Sequence, residues 1–323
     1  MTASSSDPLG VLQILWEALQ LPAKAGAFFL PLLLLHLLSY SFLSLSAYCI
    51  APLVLDVVAK LSPLFKSPLP LLPSLPSLFR DIESDLRIIA RVASLAALVF
   101  FFASLFLLVA TFYTFTTTYV GQSISLKQLL LRISRRWYKT LVTRLYVLLL
   151  TLGLALLSAL AIAALTLSSD PPNLSPRYGG PFFIFLIFLY LYLSTRWRMS
   201  LAIAVAEETW GIGALSMSVV LFIDNKKRGT LLTLVLKAVQ IAIFGAFAAA
   251  MAAASAGPPP PPEDQLKMWA GVAAASAVWE LYAMAVYTVF YYECRKSHGL
   301  EQVKSGDAWG FIYTSLPSAA AVV

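Results

Sequence analysis

Apolar residues run along the 323-residue chain in six long stretches, and polar residues collect in the segments between them. A helix needs about 20 mostly apolar residues to cross the hydrocarbon core of a bilayer. All six stretches reach that length, and they cover residues 26–50, 88–114, 141–167, 181–205, 231–256 and 268–292. The pattern predicts an all-α integral membrane helical bundle with about six transmembrane helices, whose transmembrane domain is residues 26–292.

A segment ahead of the first span repeats apolar residues at helical spacing. Within residues 9–24 these positions are Val11, Leu12, Leu15, Trp16 and Leu19. An amphipathic helix of this kind lies in the plane of the membrane interface. We therefore expect an N-terminal interfacial helix within residues 1–25.

A second amphipathic segment lies between spans four and five. The segment begins with Glu207 and Glu208, and Gly211 follows these two acids closely. An apolar run comes next, and residues 226–229, KKRG, come after it. Acidic residues favour the start of a helix, whereas cations and glycine favour its end. The pattern predicts a connector helix on the cytosolic side that begins near Glu207 and closes at the cations.

Composition strengthens the membrane interpretation. Hydrophobic residues make up 59% of the chain and charged residues 12%, and the mean hydropathy is +0.81. Soluble domains carry about 25% charged residues. The aromatic residues lie within the apolar runs and not among the cations, which argues against nucleic-acid binding.

The net charge of +7 comes mostly from cations in alternate loops. Residues 115–140, 206–230 and 293–323 are rich in lysine and arginine, whereas residues 168–180 and 257–267 hold one cation each. Cytosolic loops carry the excess of cations in membrane proteins. We expect both termini, including the 293–323 tail, to be cytosolic, and anionic lipid headgroups and other membrane proteins to be the partners. The segment 51–87, which also holds cations, is expected to be an outer loop, and its prolines at 61–76 argue against a regular helix there.

Three short segments carry a resemblance. LAIAVAEETWGIGALSMSVVLFIDNKKRG at 201–229, LGVLQILWEALQLP at 9–22 and YTVFYYECRKSHG at 287–299 resemble segments of a plant family of polytopic membrane proteins of uncharacterised function. The first is also similar to the membrane domain attached to some bacterial glycerophosphodiester phosphodiesterases. The resemblance implies a six-span bundle and no phosphodiesterase activity, because the soluble catalytic barrel has no counterpart in this chain.

Ionisable residues inside spans are costly, so each one is a functional hypothesis. Five polar residues in spans four to six form a candidate intramembrane polar site: Glu280, Arg196, Arg198, Lys237 and Gln240. We expect Glu280 to pair with Arg196 or Arg198. Such a pair fixes helix register in one interpretation, and in the other it relays a proton or a substrate.

The remaining reactive residues are few. The two histidines, His36 and His298, lie on different elements without cysteine or carboxylate spacing, so we expect no metal and no cofactor. Cys294, at the membrane edge beside two cations, is a candidate palmitoylation site. No catalytic grouping is visible, and we expect a non-enzymatic organiser or regulator of membrane partners. The alternative is a transporter or lipid-handling protein that uses the polar groups of spans four to six.

Overall fold

The fold is built from α-helices throughout its described parts. The computed structural model describes residues 10–66, 75–122, 125–167, 175–207, 209–255 and 261–298. No strand occurs in these ranges. The helices are α1 (Val11–Lys24), α2 (Phe29–Lys66), α3 (Leu75–Val120), α4 (Leu126–Leu167), α5 (Ser175–Ala206), α6 (Ile212–Phe222), α7 (Lys226–Ser255) and α8 (Pro262–Ser297), with a 3₁₀ turn at Gly26–Phe28.

Six of these helices are long and apolar enough to cross a membrane, which confirms the predicted all-α membrane bundle. The apolar segments are Gly26–Leu61, Arg80–Val120, Trp137–Ala163, Gly180–Ala206, Lys226–Ala254 and Pro262–Ser297. Each overlaps one predicted span. The six helices therefore account for the membrane residence of the protein.

Helices α2 and α3 are longer than the sequence pattern predicted. The expected outer loop at 51–87 is mostly helical, because α2 continues to Lys66 and α3 begins at Leu75. An ion-pair cluster stabilises this extension: Lys60 Nζ lies 2.7 Å from Asp56 and 2.6 Å from Asp85. The expectation of irregular chain at 61–76 was therefore wrong for 61–66 and 75–76, and residues 67–74 lie outside the described part.

Helix α1 confirms the N-terminal amphipathic helix but divides its apolar residues between two faces. Ile14, Ala18 and Leu21 are fully buried, whereas Leu12 and Trp16 are exposed. Gln13 accepts a hydrogen bond at 2.9 Å from the backbone N–H of Gly10, which precedes the first turn. One apolar face thus packs within the protein and the other points away from it.

The connector is shorter than predicted and differs at both ends. Helix α6 begins at Ile212, after a turn at Gly211, and ends at Phe222. The cations at 226–228 form the first turn of α7 and do not close α6. The physical reason is the turn at Asp224 and Asn225, residue types that favour turns over helix interiors.

The chain divides into two compact units. Unit 1 comprises Met1–Gly26, Val109–Lys237 and Tyr282–Val323, and unit 2 comprises Ala27–Leu108 and Ala238–Leu281. Unit 1 holds most of the deeply buried residues, which come from α1 and from α3 to α8. Within it, α4, α5 and α6 pack against one another.

Candidate functional site

The interior of unit 1 contains a hydrogen-bonded chain of hydroxyl groups from three spans. Thr195 Oγ1 on α5 lies 2.7 Å from Thr233 Oγ1 on α7, which lies 3.1 Å from Tyr287 Oη on α8. Thr195 also donates to the carbonyl of Leu191 in its own helix at 2.9 Å. All three hydroxyl residues are at most 3% exposed. The polar groups therefore satisfy one another in a packed interior, as buried polar groups must.

Tight backbone packing closes the same region. Gly229, in the first turn of α7, is buried beneath the rings of Phe222 and Phe290, each 1% exposed. A Cβ atom at position 229 would lie 2.7 Å from the Phe290 ring and closer still to Phe222. The helix can occupy this position only because residue 229 has no side chain.

A second polar cluster lies where α5 ends and α8 approaches its last turn. Tyr291 Oη donates to Glu207 Oε1 at 2.5 Å, and Arg295 Nη1 donates to Tyr291 Oη at 3.2 Å. The Arg295 guanidinium is 3.7 Å from the same carboxylate. Glu207 is 2% exposed and Arg295 side-chain atoms are 12% exposed. We call Glu207, Tyr291 and Arg295 the buried acid cluster.

Burial dominates the electrostatics of this cluster. It raises the pKa of Glu207, because a carboxylate loses water there, and this effect exceeds the lowering by the Tyr291 hydrogen bond and the Arg295 charge. The folded protein therefore holds a proton on Glu207 more tightly than the unfolded chain does. The cluster can hold a charge or a proton.

The turn after the cluster depends on Gly211. Its backbone has φ 60° and ψ −128°, and its N–H donates to Thr143 Oγ1 on α4 at 2.8 Å. Thr143 is fully buried, so this bond fixes the start of α6 against α4. A residue with a side chain rarely adopts a positive φ, which explains why glycine precedes the apolar helix α6 here.

We predict that Gly211→Ala destabilises the protein by about 1–3 kcal/mol, the usual cost of a strained backbone conformation. A Cβ would meet only ordinary contacts with Tyr146 and Val142, so the cost arises from the backbone. Gly213→Ala, inside α6 with open space around it, is the matched control and should be neutral or slightly stabilising. Thermal denaturation in detergent measures both variants, and equal midpoints for the two would contradict the prediction.

The cations predicted for the intramembrane site lie beside tyrosines in unit 1. The Arg196 guanidinium carbon is 5.6 Å from the centre of the Tyr192 ring, and Lys237 Nζ is 5.8 Å from that of Tyr190. Both distances suit cation–π attraction, which is stronger where water is scarce. Arg198 is half-buried on the same helix.

The acid of that predicted site belongs to unit 2. Glu280 lies there with the half-buried Gln240, and Glu280 interacts electrostatically with His36, a residue 2% exposed. Glu280 and the two arginines belong to different units, so their pairing stays a prediction.

The other predicted positions have mixed surroundings. Cys294 is fully buried, so palmitoylation, which stays a prediction, would require its thiol to become exposed.

His298 Nε2 lies 3.2 Å from Asp224 Oδ2, and Asn225 Nδ2 donates to Ser297 Oγ at 2.9 Å. These contacts connect the α6–α7 turn to the end of α8. Glu208 lies outside the described residues. Among those described, no group of three metal-binding side chains could hold an ion.

The sequence pattern did not predict the buried acid cluster. It placed Glu207 at the start of the connector, although Glu207 follows directly on the last residue of α5. Two features of the sequence could have indicated the cluster. One is the carboxylate that follows span four, and the other is the pair Tyr291 and Arg295, one helical turn apart near the end of span six. Linking residues 84 positions apart required the fold.

Comparison with known proteins gives a family but no characterised relative. No curated protein and no solved structure matched the chain. One family model, described as a domain of unknown function, matched residues 4–306, which is most of the chain. The match spans all six apolar helices and both polar clusters of unit 1. The chain therefore belongs to the family described as Domain of unknown function (DUF8558).

Proposed function

We propose that this protein is a non-enzymatic organiser or regulator of membrane partners. One observation carries the proposal: in unit 1 the hydroxyls of Thr195, Thr233 and Tyr287 bond to one another inside a packed interior. A solute pathway needs polar groups that face a water-filled cavity, and these groups face each other. A closed interior suits a protein that binds partners through its surface and passes no solute through its core.

Cations at the ends of helices support the partner part of the proposal. Lys226 and Lys227 are exposed at the start of α7, and Lys296 is exposed in the last turn of α8. Exposed cations beside a span attract anionic headgroups and acidic segments of other proteins. We propose a cytosolic location for these ends and for both termini, in the endomembrane system or the plasma membrane. We also propose that the chain is related to the plant family of polytopic membrane proteins and to the membrane domain attached to some bacterial glycerophosphodiester phosphodiesterases.

The alternative, a transporter or lipid-handling protein, has one observation in its favour. In unit 2 the carboxylate of Glu280 interacts electrostatically with the buried ring of His36. Two ionisable groups within apolar helices are a common feature of proton pathways. This alternative predicts a Glu280→Gln variant that keeps its stability and loses flux.

Proximity labelling with a matched pair of charge variants tests the organiser proposal. The full chain, fused to a biotin ligase at its C-terminus, is expressed in its own cells. Lys226→Gln/Lys227→Gln removes two exposed cations on the proposed cytosolic side. Lys267→Gln removes an exposed cation near the start of α8, the end of that helix away from Lys296. We expect a reproducible set of labelled membrane proteins that shrinks in the first variant and persists in the second.

Two results would contradict the proposal. One is a labelled set that resembles that of an unrelated membrane protein at equal abundance. The other is equal loss of partners in both variants, because partner choice would then not depend on the cytosolic cations.

A further inference from the structure

Helix α1 presents an apolar surface that no described residue covers. Leu12, Trp16 and Leu19 are 81%, 65% and 56% exposed and lie at i, i+4 and i+7, which places them on one face. We call these three residues the outer stripe. The opposite face, with Ile14 and Ala18, is buried in unit 1. Since these three side chains are exposed while the opposite face is packed, the outer stripe is available to a different partner.

The position of α1 indicates what that partner is. The helix ends at Lys24, and the first apolar span begins two residues later, at Gly26. Tyr282 Oη, within the membrane-crossing segment of α8, donates to the carbonyl of Leu15 at 3.0 Å. Helix α1 therefore contacts one helix that is long and apolar enough to cross a membrane and directly precedes another along the chain, so lipid is its expected neighbour.

Charges beside α1 select the kind of lipid. Lys24 ends α1 and Lys296 lies in the last turn of α8; both are exposed, and both act electrostatically on Glu17. Two cations from different helices thus lie near one carboxylate. The acids of this group are less accessible than its cations: Glu293, on α8, is buried and Glu17 is half-buried, whereas both lysines are exposed.

We propose that the outer stripe, with Lys24 and Lys296, binds the headgroup region of an anionic phospholipid leaflet. The tryptophan ring and the leucines enter the acyl boundary, and the two ammonium groups contact headgroup phosphates. Tryptophan is enriched at this depth because one end of its ring is apolar and the other donates a hydrogen bond. The proposal goes beyond the organiser function and does not depend on it.

Lipid quenching tests this binding in the full chain. A fluorophore is attached at Leu19→Cys in a Cys49→Ser background, and the protein is reconstituted in phosphatidylcholine vesicles that contain brominated phosphatidylserine or brominated phosphatidylcholine. We expect both lipids to quench the fluorophore and phosphatidylserine to quench it more strongly. Lys24→Gln and Lys296→Gln should each lower the preference for phosphatidylserine about fivefold, the usual contribution of one lysine near an anionic surface.

A matched control and two opposing results complete the test. Lys267→Gln removes an exposed cation at the first turns of α8, far along the helix from Lys296, and should leave the preference unchanged. Equal quenching by the two lipids would overturn the proposal, because the cations would then not select the headgroup. Absence of quenching by either lipid would overturn it as well, because another protein or a second copy would cover the outer stripe.

Discussion

Replacing Gly229 with alanine should be the most damaging small substitution in the protein. The added Cβ would enter the space of two fully buried rings, those of Phe222 and Phe290. Neither ring is at the far end of a flexible chain, and both lie among residues that are themselves buried. Overpacking of this kind costs about 1–3 kcal/mol, and we expect the upper end of that range.

The same helix provides the control for this prediction. Gly245→Ala, 16 residues further along α7, adds the same methyl group where nothing lies within 4 Å. It should stabilise the helix by about 0.5–1 kcal/mol, because alanine is a better helix former than glycine. Thermal denaturation of both variants in detergent gives the comparison. A Gly229→Ala midpoint equal to or above that of Gly245→Ala would show that the region is loosely packed.

The second large effect concerns the buried acid cluster. Arg295→Met removes the cation 3.7 Å from a carboxylate that is 2% exposed. Removing one partner of a buried ion pair costs about 3–5 kcal/mol because the remaining charge stays buried. We expect about 3 kcal/mol at neutral pH, since Tyr291 still donates to Glu207 in the variant.

A double variant separates the charge from the packing. Glu207→Gln keeps an oxygen that can accept the Tyr291 hydrogen bond and removes the negative charge. Glu207→Gln/Arg295→Met should therefore be more stable than Arg295→Met alone, although it carries one more substitution. Additive losses in the double variant would mean that the two residues do not interact energetically.

The pH dependence of Arg295→Met follows from the direction of the Glu207 pKa. Burial raises that pKa in the folded protein, and Arg295 opposes the rise. The proton on Glu207 therefore stabilises the fold fully below the unfolded pKa of about 4.3, and this contribution is lost as pH rises through the folded pKa. Without Arg295 the folded pKa is higher still. The stability gap between wild type and Arg295→Met should widen from pH 5 to pH 8, and a constant gap would contradict the assignment.

The sequence predicts the membrane fold well because lipid imposes a simple rule on each helix. A spanning segment needs enough consecutive apolar residues, and this requirement is local. Each of the six apolar runs therefore identifies its own helix without knowledge of the others. The same locality explains why α1 was predictable, since its spacing of apolar residues is contained within residues 9–24.

Helix ends were less predictable because they depend on neighbours. The cations at 226–228 suit the end of a helix by local preference, yet they form the start of α7. The turn at Asp224 and Asn225 places them there, and Gly229 then packs against Phe222 and Phe290. In the same way, the Lys60–Asp85 ion pair accompanies the continuation of α2 to Lys66 and the start of α3 at Leu75, where the sequence pattern predicted an outer loop.

The polar sites were the least predictable part. Glu207, Tyr291 and Arg295 come from segments far apart in sequence, and each side chain alone suits an exposed helix end. Likewise, Thr195 and Thr233 are ordinary residues in apolar helices until the fold brings their hydroxyls together. Apolar periodicity carries no information about such pairings, because it reports which face of a helix is buried and not which helix covers it.

Cysteine accessibility in the reconstituted protein tests the closed interior of unit 1 most directly. Thr195→Cys and Thr233→Cys, each in a Cys49→Ser background, place a thiol in the hydroxyl chain, and Lys227→Cys places one at an exposed position in the first turn of α7. A membrane-impermeant maleimide, present on both sides of the vesicle, should modify Lys227→Cys and leave both threonine positions unmodified. Modification of Thr195→Cys and Thr233→Cys at the rate of Lys227→Cys would mean that water reaches the interior of unit 1, and the organiser proposal would give way to a transporter.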